Sequence, residues 1–309
     1  MKLLVTGGAG FMGSAFVRKF SHGDFPKIEE IVVLDSLTYA ADLSRISEFI
    51  GDKVTFIHGD IRDQEIVSQV MSRVDACINY AAETHVDNSI VAPQEFISTN
   101  ILGTGNLLIA AKENQIRKFI QVSTDEVYGE IAVGEWTELS DLDPSSPYSA
   151  SKLSADLLCQ SFFKTYKTPT VVTRSCNNYG FGQNPEKLIP KVIKCIKENM
   201  EIPLYGNGMN IREWLHVEEH ALGMYQSIFF GKVGQTYNFG SGERLTNLEL
   251  IKMIINLTDG NYDRISFVED RKGHDFRYAV DCAKAKAELG FSSNIKLLDG
   301  IKEIIAKYI

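Results

Sequence analysis

The first half of the chain alternates short apolar runs with stretches of helical period, and that alternation leaves few folds open. KLLVT (2–6), IEEIVVLD (28–35), KVTFIHGD (53–60), DACINYAA (75–82), RKFIQVST (117–124) and PTVVTRS (169–175) read as successive buried strands. SAFVRKFSH, DQEIVSQVMSRV and TNILGTGNLLIAAKEN lie between strands and are long enough to be helices. Parallel strands need such crossovers, and crossovers of one hand leave helices on both faces of the sheet. The expectation is therefore an α/β fold with a doubly wound parallel sheet. After about residue 178 the alternation weakens, and Asn, Gly and Arg gather in loops. That part reads as a smaller α/β substrate-binding domain. The expected division is 1–177, rejoined by parts of 214–240, against mainly 178–309.

A chain of 309 residues, 44% of them hydrophobic and 23% charged, can bury a sizeable core. Its net charge of −8 argues against nucleic acid or an anionic membrane as main partner. Glycines interrupt MKLLVTGGAGFMG too soon for a signal peptide, and no apolar run nears the roughly 18 residues of a membrane span. Cys77, Cys159, Cys176, Cys195 and Cys282 are odd in number and lack a CxxC pair. They read as reduced thiols of a cytoplasmic protein.

TGGAGFMG (6–13) sits directly after the first strand and before a helix. It holds Gly8-x-Gly10-x-x-Gly13 and equally Gly7-x-x-Gly10-x-x-Gly13. Glycines there permit a tight turn and let a helix N-terminus approach a pyrophosphate. An ordinary glycine-rich turn has the same letters, but the strand-before, helix-after setting is what a Rossmann-type dinucleotide site requires. Asp35 ends the second strand, where a carboxylate accepts from ribose hydroxyls and repels a 2′-phosphate, so NAD is expected rather than NADP. Asp60, at the end of the third strand, is either an adenine contact or a helix N-cap.

PSSPYSASK (144–152) reads as a helix start, with Ser146 as N-cap and Pro147 at the first helical position. Tyr148 and Lys152 are then one turn apart on one face. A phenol is a poor base at neutral pH, and a nearby ammonium together with a nicotinamide cation would lower its pKa. STDEVYG (123–129) offers two readings. Ser123-x-x-Glu126 fits a capping box, yet VYGEIAVGEWTELS that follows has no helical period. If the chain is still extended there, Thr124, Asp125 and Glu126 point different ways, beyond the carboxyl end of a strand where such sheets bind ligands.

Together TGGAGFMG, STDEVYG, PSSPYSASK, NNYG, PEKLIP and RKGHDFRY resemble the dTDP-glucose 4,6-dehydratases of the extended short-chain dehydrogenase/reductase family. The resemblance runs over nearly the whole chain, and the acid pair after Thr124 is its most specific element. It implies NAD-dependent oxidation of a sugar at C4, with Tyr148 taking the hydroxyl proton and Thr124 bonding that oxygen. Glu126 then removes the C5 hydrogen, protonated Asp125 assists loss of the C6 hydroxyl, and hydride returns to C6. Cofactor contacts implied are Gly7, Gly10, Phe11, Met12, Gly13, Asp35, Ser36, Leu37, Thr38, Asp60, Ile61, Tyr80, Ala81, Ala82, Glu83, Thr99, Tyr148, Lys152 and Asn178. Substrate contacts implied are Thr84, Thr124, Asn177, Lys187, Leu188, Pro203, Leu204, Tyr205, Arg212, Asn247, Arg271 and His274. A homodimer through two helices of the cofactor domain is implied as well.

Three features depart from that family: Asn88 where an arginine follows HVD, the segment FGQN (181–184), and a short tail. They leave the base, dTDP or UDP, open. HVEEH (216–220) matches a zinc-peptidase pattern, but no third ligand accompanies it, so an ordinary half-exposed helix and no metal are expected. An NAD-dependent nucleotide-sugar epimerase or reductase shares all of this except a use for Asp125 and Glu126. A non-catalytic dinucleotide sensor has no use for Tyr148, Lys152 and the acid pair together.

Overall fold

The computed structural model describes residues 1–258 and 260–308. The strands foreseen are β1 (Lys2–Thr6), β2 (Glu30–Asp35), β3 (Val54–His58), β4 (Ala76–Asn79), β5 (Lys118–Thr124) and β6 (Thr170–Ser175). Later come β7 (Asn177–Tyr179), β8 (Ile202–Tyr205), β9 (Ile211–His216), β10 (Thr236–Phe239), β11 (Arg244–Thr246) and β12 (Ile265–Val268). The main sheet runs β10-β6-β5-β4-β1-β2-β3 with every pair parallel. From β1 the chain winds outward to β3, then returns to β4 and winds the other way. The order therefore reverses between β1 and β4, which opens a crevice at the carboxyl ends of those strands.

Both faces of the sheet are covered, so the strands read as unbroken apolar runs rather than alternating ones. Leu3, Val5, Ile31, Val33, Ile78 and Ile120 pack with Phe16, Val17, Ala221 and Met224 on one side. Leu4, Val32, Leu34, Cys77 and Phe119 pack with Val67, Val70, Leu107 and Leu108 on the other. Each such aliphatic or aromatic side chain, fully buried, is worth about 1.5–3 kcal/mol of transfer free energy. A separate core of Ile189, Val192, Leu204, Trp214, Leu250, Ile254 and Ile301 underlies the small sheets β11-β9-β7 and β12-β8. All five cysteines are free. No helix among the described residues is long and apolar enough to cross a membrane.

Two expectations change. The stretch read as one helix at 99–114 begins as a π-helix, Ile97–Gly103, and becomes α-helical only at Thr104–Glu113. The wider turn carries buried Asn100 inward, where Oδ1 accepts from Glu83 N at 2.8 Å and Nδ2 donates to Ser151 Oγ at 2.8 Å. Such π segments gather at functional sites. HVEEH is not a half-exposed helical pair: His216 is the N-cap before the helix Val217–Phe230, and both His216 (3% exposed) and His220 (0%) are buried. Burial, with no hydrogen-bond partner on either ring nitrogen, pushes the His220 imidazole down to about 3.

Candidate active site

The glycine turn forms the floor of the crevice. Gly7 has φ +67°, and a Cβ there would sit 2.7 Å from Ala81 N. A Cβ on Gly13 would sit 2.3 Å from the Gly7 carbonyl oxygen. Gly10 caps the helix Phe11–Ser21 without a side-chain hydrogen bond, so the first amides of that helix remain available to an anion. Only bare backbone fits this spacing, and it matches the needs of a dinucleotide pyrophosphate.

Asp35 is buried at the end of β2 and is fixed by two amides, accepting from Ala9 N and Leu37 N at 2.8 Å each. Its remaining lone pairs suit a ribose diol. Leu37 supplies that amide, but it does not line the cavity; its side chain is 36% exposed. Asp60 is not an N-cap. That role belongs to Asp63, which accepts from the amides of Glu65 and Ile66. Asp60 instead pairs with Arg62, whose Nη2 donates to Oδ2 at 2.7 Å, and both residues line the cavity.

The cavity, about 290 Å³, brings together the rest of the expected cofactor set: Gly7, Gly10, Phe11, Met12, Gly13, Asp35, Ser36, Thr38, Asp60, Ile61, Tyr80, Ala81, Ala82, Glu83, Thr99, Tyr148, Lys152 and Asn178. Thr84, Thr124, Asp125, Glu126, Asn177 and Lys187 line it too. Leu188 and Leu204 do not: Leu204 is 2% exposed within the second core, and Leu188 packs against that core. Pro203, Tyr205, Arg212, Asn247, Arg271 and His274 stand apart from the lining. Arg62, Ala40, Ala41, Ser175, Gln183 and Asn184 line the cavity without having been foreseen. Only Arg62, two residues after a strand-end aspartate, carried a usable signal.

At the end of β5 the chain remains extended through Thr124 and then makes one 3₁₀ turn, Asp125–Tyr128. The Ser123 capping box does not form; Thr124 Oγ1 accepts from Glu126 N at 3.3 Å instead. The two carboxyl groups meet different surroundings. Asp125 is 1% exposed and its Oδ2 has no partner. Burial first, then the Glu126 and Glu213 carboxylates, holds its carboxyl well above the usual range. Burial raises Glu126 too, but Arg271, Arg212 and Lys187 pull against it. Neighbours that push two carboxyl groups apart in acidity are the ordinary way to seat an acid beside a base.

Ser146 and Pro147 begin the helix Pro147–Tyr166 as expected, with Ser146 Oγ accepting from Ser149 N at 3.1 Å. Lys152 is directed to the end of β5. Its Nζ donates to the Val122 carbonyl at 2.6 Å, and burial lowers its pKa to about 8 with Asp156 opposing. The Tyr148 phenol is pushed up, by burial and then by Glu126, while Thr124 and Thr84 act to lower it.

The cations around Glu126 come from distant segments. Arg212 donates through Nη1 to Ile211 O and through Nη2 to Asp275 O, both at 2.8 Å, and stacks on Tyr278 at 4.4 Å. Arg271 Nε is buried without a partner. His274 Nδ1 meets Asp270 Oδ1 at 2.6 Å and stands edge-on to Tyr205 at 6.4 Å.

A sequence profile described as GDP-mannose 4,6 dehydratase matches residues 4–304. A dTDP-glucose 4,6-dehydratase from an Actinoplanes species is 44% identical, with alignment over 100% of this chain and 98% of that one. The chain belongs to the nucleotide-sugar 4,6-dehydratase family. It is also 45% identical to a low-salt glycan biosynthesis protein, Agl12, of Haloferax volcanii, over 100% of this chain and 99% of the other. The fold superposes on the dehydratase DesIV of Streptomyces venezuelae, solved with NAD bound, with a TM-score of 0.98 and 42% identity over 100% and 97% of the two chains.

Proposed function

We propose that this dehydratase converts dTDP-glucose to the 4-keto-6-deoxy sugar, with NAD held in the crevice between β1 and β4. The observation that carries the reading is the unlike pair at the end of β5: Asp125 buried with a free carboxyl oxygen, Glu126 facing Arg271, Arg212 and Lys187. An epimerase has no use for such a pair. NAD bound there would supply a reversible hydride acceptor for the C4 oxidation and the C6 reduction.

The protein's residues do the proton chemistry. Tyr148 takes the C4 hydroxyl proton, and Thr124 and Thr84 hydrogen-bond that oxygen. Glu126, ionised, removes the proton at C5, which the new C4 carbonyl has made acidic. Asp125, protonated, gives its proton to the C6 hydroxyl as it leaves as water. With C6 reduced, Glu126 returns its proton to C5; the C4 oxygen stays a carbonyl in the product, so the proton held by Tyr148 is released and Asp125 regains one, through solvent, before the next cycle. Lys152 presents its remaining ammonium protons to the cofactor's hydroxyls. Lys187, Arg212, Arg271, His274, Tyr205, Pro203 and Asn247 face the nucleotide diphosphate and base, with the arginine forks suited to phosphate oxygens.

Residues 1–177 with parts of 214–240 serve the cofactor, and mainly 178–309 serve the sugar nucleotide. The placement of β10 beside β6 supports that division. A cytoplasmic protein fits the five free thiols. A homodimer fits the apolar side chains left out in solvent on three helical segments, Val86–Val91, Ile97–Gly103 and Pro147–Tyr166: Val91 (85% exposed), Ile97 (57%), Leu102 (54%), Leu157 (49%) and Tyr166 (53%). Placing Glu at Leu102 and Leu157 together should leave a monomer in sedimentation.

The decisive assay incubates pure protein with dTDP-glucose and, separately, UDP-glucose, then reads the alkali-induced absorbance of a 4-keto sugar. Product from dTDP-glucose is expected in excess. No product from either donor removes the dehydratase reading.

A further inference from the structure

The segment after β2 runs along one edge of the cavity, placing Ser36, Thr38, Ala40 and Ala41 on its lining. Gln183 and Asn184, from the segment whose sequence departs from the family, line it as well. Arg45 ties these stretches together. Its Nη2 donates to Asn184 Oδ1 at 3.0 Å, and its Nη1 donates to the carbonyls of Ala40 at 3.1 Å and Ala9 at 3.2 Å. Asn184, 6% exposed, donates back through Nδ2 to the Ala40 carbonyl at 3.3 Å. Gln183 Nε2 donates to Asn178 O at 2.9 Å. One guanidinium therefore fixes the glycine turn, the segment after β2 and a loop 139 residues away in sequence.

A second groove, of about 710 Å³, lies behind this tie and is lined by Arg45 and Gln183 with Ser14, Arg18 and Phe181. Arg45 lines the groove while its partner Asn184 lines the cavity, so the pair is the partition between them. The acceptors of Arg45 are all uncharged oxygens, which leaves its positive charge uncancelled by its own hydrogen bonds. A planar fork of fixed donors reaches all three at once, which a lysine cannot do.

We infer that the Arg45–Asn184 pair is a clasp that retains the cofactor by closing the back wall of its cavity. The inference rests on the reading that the cavity holds NAD. The proposed reaction restores the cofactor in every cycle, so a wall that blocks exchange does not slow turnover. A dehydrogenase that must release its reduced cofactor could not keep such a wall shut.

The test loads the full-length protein with NAD, moves it quickly into cofactor-free buffer and follows the NAD retained. Asn184→Ala should speed release about tenfold, the equivalent of one charge-assisted hydrogen bond, and Arg45→Met at least as much, because it also frees the carbonyls of Ala40 and Ala9. The double variant should release no faster than Arg45→Met alone, because the Asn184 bond is already lost in it. Asn184→Asp keeps the acceptor and adds a charge opposite the guanidinium, so it should hold NAD at least as long as the parent. A parent protein that never takes up NAD overturns the reading of the cavity itself. A parent that binds NAD while Arg45→Met releases it at the parental rate overturns the clasp. So do single effects that multiply in the double variant, or an Asn184→Asp protein that loses NAD faster than the parent.

Discussion

The two sides of the cavity are built from different material. Along its floor the lining is main chain: glycines 7, 10 and 13, the open amides of one helix, and a carboxylate locked by two amides. At the proposed sugar end Asp125, Glu126 and Lys187 line it with side chains, and Arg212 and Arg271, from segments far apart, act on Glu126 from beyond the lining. A main-chain site is nearly all or nothing, since its shape is the shape of the turn. A side-chain site can be graded, because each charge sets the acidity of the next. The two sides should accordingly fail in different ways when single residues are changed.

The largest effect belongs to the sugar side. Glu126→Gln removes the base for C5 while leaving Tyr148 and the hydride acceptor in place. Elimination should fall by about 10²–10⁴, the usual worth of a positioned general base, while reduced nicotinamide builds up within one turnover. Product at the parental rate would show that another group removes the C5 proton. Next comes the floor. In Gly13→Ala the new methyl lies 2.3 Å from the Gly7 carbonyl, which is backbone and cannot swing aside. Affinity for NAD should drop at least about a hundredfold, comparable to 2–3 kcal/mol of strain. Calorimetric titration giving a Kd near the parent's would mean that the floor is softer than its geometry suggests.

This contrast also explains what could be read from the sequence. Glycine spacing, Asp35 and the Ser146–Pro147 helix start were legible because each works through neighbours within a few residues. The parallel sheet was legible because strands buried on both faces leave unbroken apolar runs. What remained hidden depends on where a long side chain turns. Lys152 sits one helical turn from Tyr148, yet it reaches back to the Val122 carbonyl at 2.6 Å. Nothing in its spacing forbids either direction. Arg45 and Asn184 meet across 139 residues, and the π-helix that turns Asn100 inward looks like ordinary helix in its letters. Leu188 and Leu204 turn their side chains toward the second core, a direction that for Leu204 follows from the alternation of a strand but that its letters alone do not fix.

Grading by charge can be tested through pH. Glu126 must be ionised to act, and burial already holds its carboxyl above the usual range while Arg271 is foremost among the groups that oppose this. Arg271→Met should raise it further, so activity is lost at a higher pH on the way down. The acid limb of kcat should move up by about one unit, as one close charge commonly does. Asp125 must be protonated, so it governs the opposite limb, where activity falls as pH rises; Arg271 is not among the main influences on it. The alkaline limb should stay where it is. Both limbs moving together would mean that the two carboxyl groups titrate as one unit rather than as separate acid and base.

The smallest effect lies where the two sides touch. Tyr39, from the segment after β2, donates its hydroxyl proton to the Thr84 carbonyl at 2.9 Å, and Asn88 Nδ2 donates to that same hydroxyl at 3.0 Å. Asn88 thus fixes a tyrosine that fixes the backbone of a residue lining the sugar end, and it does so from a position where the family resemblance calls for arginine. Exposed hydrogen bonds of this kind are worth about 0.5–1.5 kcal/mol, so Asn88→Ala should raise KM by a few-fold and leave kcat alone. Tyr39→Phe breaks the same chain one link nearer to Thr84 and should match it, with no further loss in the double variant. A fall in kcat instead would put Asn88 in contact with the reacting sugar, and the boundary between the main-chain side and the side-chain side would have to be drawn through Thr84 itself.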